Sequence, residues 1–273
     1  MTTQHSPNRI DRIFEELRAS GKRGLMPFVV GGHPEAEGLP SQLEAIDGAG
    51  ASVIEIGFPF SDPVADGPVI AAAMYEALQK GVTTRSVLNQ VKASRDRVKA
   101  GLVAMISASL VHRMGGPGEF AKQAAEAGLD GCIFPDVTLE EAGPYVEACR
   151  ANGLCVSLLV APTTPIDRAR RIVQYCSGFV YVIARAGITG ESTGLPEIEA
   201  RISELRALTD LPLAVGFGVS TAEQVRMVTQ HADAAIVGSA LVRHLGQAAK
   251  VGKSASEAAS EMIFTLAEGI GSV

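Results

Sequence analysis

Eight short, β-branched apolar stretches alternate with longer Ala/Glu/Arg-rich ones, and this alternation limits the fold more than any other feature of the chain. The apolar stretches are 25–31 (LMPFVVG), 52–57 (SVIEIG), 101–106 (GLVAMI), 131–134 (GCIF), 154–160 (LCVSLLV), 179–183 (FVYVI), 212–216 (PLAVG) and 233–237 (DAAIV). Runs that are apolar throughout, rather than at every second position, imply strands buried on both faces, as in a parallel sheet covered by helices. Eight strand–helix units in a row favour a closed barrel over an open sheet. The length of 273 residues is near the roughly 250 typical of that fold.

The expected fold is therefore α/β, a single (β/α)8 TIM barrel occupying residues 1–273 as one domain, with an extra amphipathic helix at 8–20 (NRIDRIFEELRAS) before the first strand. Among the intervening helices, 117–127 begins at Pro117 and stops before Gly128, and 221–231 opens on the capping pair Ser220–Thr221 followed by Glu223. No low-complexity or linker-like stretch divides the chain.

Composition excludes several function classes. A formal net charge of -6 argues against nucleic acid as the main partner, which calls for a basic face. No apolar run approaches the roughly 18 residues of a membrane helix, and the amino end lacks the apolar stretch of a secretory signal. A soluble, cytoplasmic protein is expected. Cys132, Cys149, Cys155 and Cys176 show no C-x-x-C spacing and read as buried, reduced thiols. The five histidines form no ligand cluster, so no metal is expected.

Barrel active sites lie at the carboxyl ends of the strands. The richest such segment is IEIGFPFSDPVADGP, 54–68. Glu55 falls inside an apolar strand, pointing either into the barrel or towards the helices. Buried there, a carboxyl must be neutral, hydrogen-bonded or in use, and desolvation would raise its pKa into the range suited to proton exchange. A structural salt bridge or a hydrogen-bonded structural acid would account for it equally well. Asp66, in the turn Asp66–Gly67–Pro68 leading to a helix, is either a turn residue or a substrate contact.

GFGVST (216–221) and VGSALV (237–242) follow the seventh and eighth strands and each precedes a helix. Barrels frequently bind phosphate there, on backbone N–H groups at a helix N-terminus, although a plain turn also favours glycine. The loop ARAGITGEST (184–193) has glycines suited to a lid. Phe28, Tyr181 and Phe217, near strand ends, either fill core or line a flat pocket. The residues alone point to a phosphorylated substrate with an apolar moiety and one or two working carboxylates.

In the stretch IEIGFPFSDPVADG, and in MPFVVGGHP, LVAPTTP, ARAGITG, GFGVS and IVGSALV in that order, the chain resembles the tryptophan synthase alpha chain family along essentially its whole length. The resemblance implies retro-aldol cleavage of indole-3-glycerol phosphate to indole and glyceraldehyde 3-phosphate, with no cofactor in this chain. It implies Glu55 as the acid–base group, Asp66 as the partner of the indole N–H, and Tyr181 beside the reacting centre. Gly190, Gly218, Gly238 and Ser239 would hold the phosphate, Phe28, Ile133 and Phe217 would line the indole pocket, and Thr189 would sit on the closing loop. It also implies docking on a beta subunit that carries pyridoxal phosphate, as an α2β2 complex, through the loop containing Pro59, Phe60, Ser61 and Asp62. A freestanding indole-3-glycerol phosphate lyase and a weakly catalytic activator of a beta subunit are the alternatives. The chain departs from the family pattern after strand three, where Ser107 and Ser109 replace an aromatic residue and an Asn, and at Ala71, which stands where Gln is common.

Overall fold

The computed structural model describes residues 7–63, 66–183, 195–216 and 218–270. Among the described residues, nine parallel strand segments form one sheet: β1 Gly24–Val30, β2 Val53–Gly57, β3 Gly101–Met105, β4 Gly131–Ile133, β5 Cys155–Ser157, β6 Leu159–Val160, β7 Val180–Ile183, β8 Leu213–Gly216 and β9 Ala234–Val237. Their order is β5-β4-β3-β2-β1-β9-β8-β7-β6. The two ends of this ladder, β5 and β6, are consecutive in the chain and separated only by Leu158. The first pairs with β4 (Gly131↔Cys155) and the second with β7 (Leu159↔Tyr181). They are two halves of the fifth barrel strand, and through them the sheet closes. At the break, the Leu158 amide donates to Cys176 Sγ at 3.3 Å instead of to a neighbouring strand.

Alternation sorts the side chains into two cores. Val53, Val103, Ile133, Ala214, Ala234 and Ile236 meet inside the barrel with Met26, Cys155 and Phe179. Ile54, Ile56, Leu102, Ala104, Val180 and Val182 pack outward against the helices. Each fully buried Ile, Val or Leu contributes about 1.5–3 kcal/mol relative to exposure, so the two-sided burial of every strand is the main stabilising term.

The N-terminal helix, Arg9–Ala19, plugs the lower mouth. Asn8 and Asp11 cap it reciprocally, and its Ile10 and Phe14 enter the interior core. Glycine makes room for it: a Cβ on Gly101 would come 2.9 Å from Ile10 Cγ1. The segment expected at 117–127 is the helix Pro117–Glu126, and that at 221–231 is Ala222–Thr229, with Thr221 as its N-cap. Among the described residues no helix is long and apolar enough to cross a membrane.

Candidate active site

Strand parity decides which way Glu55 faces. Its neighbours Ile54 and Ile56 are in the outer core and Val53 in the inner one, so Glu55 projects into the barrel. In register it lies beside Phe28 on β1 and Val103 on β3. The residue is completely buried, and neither carboxyl oxygen has a hydrogen-bond partner. Burial without a compensating donor pushes its pKa up to about 8, so the group is mainly protonated at neutral pH. Among the described residues, neither a structural salt bridge nor a structural hydrogen bond accounts for it.

Asp66 lies half-buried just before the helix Pro68–Gln79, its amide closing a turn on the Pro63 carbonyl at 3.0 Å. Burial raises its carboxyl to about 6. Tyr181 projects inward from β7. Burial first, and then the charges of Glu55 and Asp66, hold its hydroxyl well above the usual phenol range, which places the ring near both acids. A Cβ on Gly216 would lie 3.2 Å from Tyr181 Oη, so that glycine leaves room for the phenol.

A cavity of about 290 Å³ opens above these groups at the carboxyl ends of the strands. Phe28, Asp66, Ile70, Met105, Pro135, Leu159, Tyr181 and Ile236 line it, with Gly218, Gly238 and Ser239 along one side. Gly218 has φ +68, a left-handed conformation that favours glycine. The helix Ser239–Lys250 begins at Gly238 with no side chain capping it. By contrast, Ala222–Thr229 is capped by its own Thr221 hydroxyl. The helix after β9 therefore presents free N–H groups and the positive end of its dipole to the cavity, the condition for binding an anion.

A larger cavity, about 620 Å³, lies outside the barrel wall between Ile166–Tyr175 and Leu195–Arg206. Its Arg201 and Glu204 are paired with each other at 3.0 Å. It holds no buried unpaired acid among the described residues, so the chemistry points to the smaller cavity.

The structure thus brings together Glu55, Asp66, Tyr181, Phe28, Gly218, Gly238 and Ser239. Thr189, Gly190 and Phe217 lie outside the described residues. Ile133, like Glu55, is fully buried in the barrel interior; in register it lies beside Met105, which lines the cavity. Pro135, two residues past the end of β4, reaches the cavity wall. Met105, Leu159 and Ile236 were missed by sequence reasoning. Each is the last or next-to-last inward position of its strand, a signal that becomes readable only once strand ends are known.

Ser107 and Asp136 form an adjoining pair. Ser107 Oγ donates to Asp136 Oδ2 at 2.6 Å, and the Ala108 amide donates to Asp136 Oδ1 at 2.9 Å. Ser107 also caps the short helix Ala108–Arg113.

Comparison with known proteins agrees with this arrangement. The family profile described as tryptophan synthase alpha chain matches residues 14–270. The tryptophan synthase alpha chain of Alkalilimnicola ehrlichii is 41% identical over 260 residues, 93% of this chain and 95% of that protein. That of Nitratidesulfovibrio vulgaris is 41% identical over 92% of this chain and 99% of its own length. Among solved structures, tryptophan synthase subunit alpha from Legionella pneumophila superposes with a TM-score of 0.89 at 34% identity, covering 97% of this chain and 98% of that one. A chain of Mycobacterium tuberculosis tryptophan synthase gives 0.87 at 31% identity over 97% and 98%. This chain belongs to the tryptophan synthase alpha chain family.

Proposed function

We propose that the chain cleaves indole-3-glycerol phosphate by a retro-aldol reaction, as a carbon–carbon lyase of tryptophan biosynthesis. The observation that carries the reading is the Glu55 carboxyl, wholly buried, unpartnered and mainly protonated at neutral pH, near Tyr181, whose hydroxyl also feels the charge of Asp66.

Cleavage of the bond between indole C3 and the glycerol chain requires a proton at C3, because the departing ring cannot carry a free carbanion. Protonated Glu55 supplies it. The positive charge that then spreads to the ring nitrogen is stabilised by the Asp66 carboxylate, which accepts the N–H hydrogen bond. The Glu55 carboxylate next takes the proton of the hydroxyl on the carbon attached to C3. The C–C electrons return to the ring, and indole and glyceraldehyde 3-phosphate separate with Glu55 protonated again. Tyr181 packs by the reacting carbon. The phosphate binds on the N–H groups of Gly218, Gly238 and Ser239, with Gly190 contributing from the loop that carries Thr189. Phe28 and Phe217 flank the ring.

The chemistry needs no cofactor in this chain. Pyridoxal phosphate belongs to a beta subunit, on which the chain docks in the cytoplasm as an α2β2 complex through the loop of Pro59, Phe60, Ser61 and Asp62. The test is indole release from indole-3-glycerol phosphate by the purified chain, alone and with a beta subunit, beside Glu55→Gln and Asp66→Asn. Slow release alone, faster release with the beta subunit, and loss in both variants are expected. Fast release that ignores the beta subunit would indicate a freestanding lyase, and no release at all would overturn the assignment.

A further inference from the structure

A second, smaller recess of about 30 Å³ adjoins the cavity and shares Asp66, Met105 and Pro135 with it; its far wall is made by Phe58, Ser107 and Asp136. We propose that this recess sets the ring specificity of the site, with Ser107 as its gauge, and admits one methyl-sized substituent at position 7, the benzo-ring CH that lies nearest the N–H. The inference rests on the function proposed above and concerns a part of the site that the unsubstituted ring does not fill.

Orientation follows from which strands supply which walls. The anion-binding side is built by the loops after β8 and β9, whereas the recess is walled from the loops after β2, β3 and β4, across the barrel in strand order. A substrate with its phosphate on Gly238 and Ser239 therefore points its ring towards the recess. With the ring N–H on Asp66, which the recess and cavity share, the neighbouring benzo-ring carbon is the one that faces the opening.

Size and polarity agree. A volume of this order holds a single small group. The polar members of the far wall are engaged with each other: Ser107 Oγ donates to Asp136, which also accepts the Ala108 amide. A satisfied polar pair loses little when an apolar group covers it, and Phe58, Met105 and Pro135 supply the apolar contacts. Ser107 is held by its cap and its bond to Asp136, so this wall cannot retreat without breaking both, while Phe60, Asp62 and Pro63 close the opposite, more exposed side.

The experiment measures binding of indole, 5-methylindole and 7-methylindole to the full chain by calorimetry, and kcat/KM for the three corresponding indoleglycerol phosphates. The wild type is expected to bind 7-methylindole as tightly as indole or up to about fourfold tighter, the gain of one buried methylene, and 5-methylindole less well. Ser107→Thr keeps the hydroxyl and the capping ability but adds a methyl, and the 7-methylindole to indole affinity ratio should fall about tenfold. Tenfold weaker binding of 7-methylindole than of indole by the wild type would overturn the proposal without recourse to any variant. So would an unchanged ratio in a Ser107→Thr protein whose melting curve matches wild type. If the ratios hold but unsubstituted indoleglycerol phosphate is not cleaved, the proposed reaction fails and the recess stands; cleavage without the ratios gives the reverse.

Discussion

The ring of Phe28 occupies the space that a side chain on Gly57 would need: a Cβ there would lie 2.8 Å from Phe28 Cε2. Gly57 sits two residues beyond Glu55, on the same inward face of β2, so the missing side chain lets Phe28 lie across the strand end. Phe28 is buried against Met74, Val242 and Val30 and has no easy retreat. Gly57→Ala should therefore cost about 1–3 kcal/mol of stability through overpacking and lower kcat/KM by pushing the ring into the cavity. Gly143→Ala, where an added Cβ meets nothing within 4 Å, is the control and should be neutral or slightly stabilising. Equal melting temperatures for the two variants would refute the account.

Two acids with separated pKa values predict a bell-shaped profile. Asp66, raised to about 6 by burial, must be ionised to stabilise charge on the ring, and Glu55, raised to about 8, must be protonated to deliver the first proton. The rate should rise through pH 6 and fall through pH 8, read as kcat/KM on the free enzyme. Asp66→Asn should remove the acid limb along with most of the activity. A profile flat from pH 5 to 9 would contradict both assignments.

Glu55 also couples pH to stability. Its folded pKa of about 8 lies above the ordinary value of 4.5, so the unfolded chain releases this proton first. Below pH 4.5 the group is neutral in both states and costs nothing. Between pH 4.5 and 8 folding carries a growing penalty, on the order of a few kcal/mol at the top of the window. Glu55→Gln, neutral throughout, should thus melt higher than wild type at pH 8 and about equally at pH 4.5, while losing the activity. A variant less stable than wild type at pH 8 would show that the carboxyl is not isolated.

How much of this was legible in the sequence depends on range. The strands could be read because each is an uninterrupted apolar run bounded by Gly, Pro or Asp, a purely local pattern. The plug helix was readable from the spacing of Ile10, Ile13, Phe14 and Leu17. Glu55 could be located but not oriented, since a strand buried on both faces has no polar side to indicate parity; the partners of Ile54 and Ile56 were needed for that. The depth of Ile133 was not readable, because β4 is only three residues long and only its register with β3 puts Ile133 beside Met105. The split at Leu158 and the Ser107–Asp136 bond, 29 residues apart, are tertiary and left no local trace.

The uncapped helix start at Ser239 supports a prediction in which stability and binding part company. An acidic side chain in the first turn of a helix is favourable, by about 0.3–1 kcal/mol, because it meets the positive end of the dipole and the free N–H groups. Ser239→Asp should therefore leave the melting temperature unchanged or raise it slightly. The same carboxylate would occupy and repel the region where the phosphate of the substrate binds, so KM should rise at least tenfold while kcat at saturation falls much less. Inorganic phosphate should act as a competitive inhibitor of the wild type and lose that effect in the variant. If Ser239→Asp bound phosphate as wild type does, the anion would have to sit elsewhere in the cavity, and the assignment of Gly238 and Ser239 would fall with it.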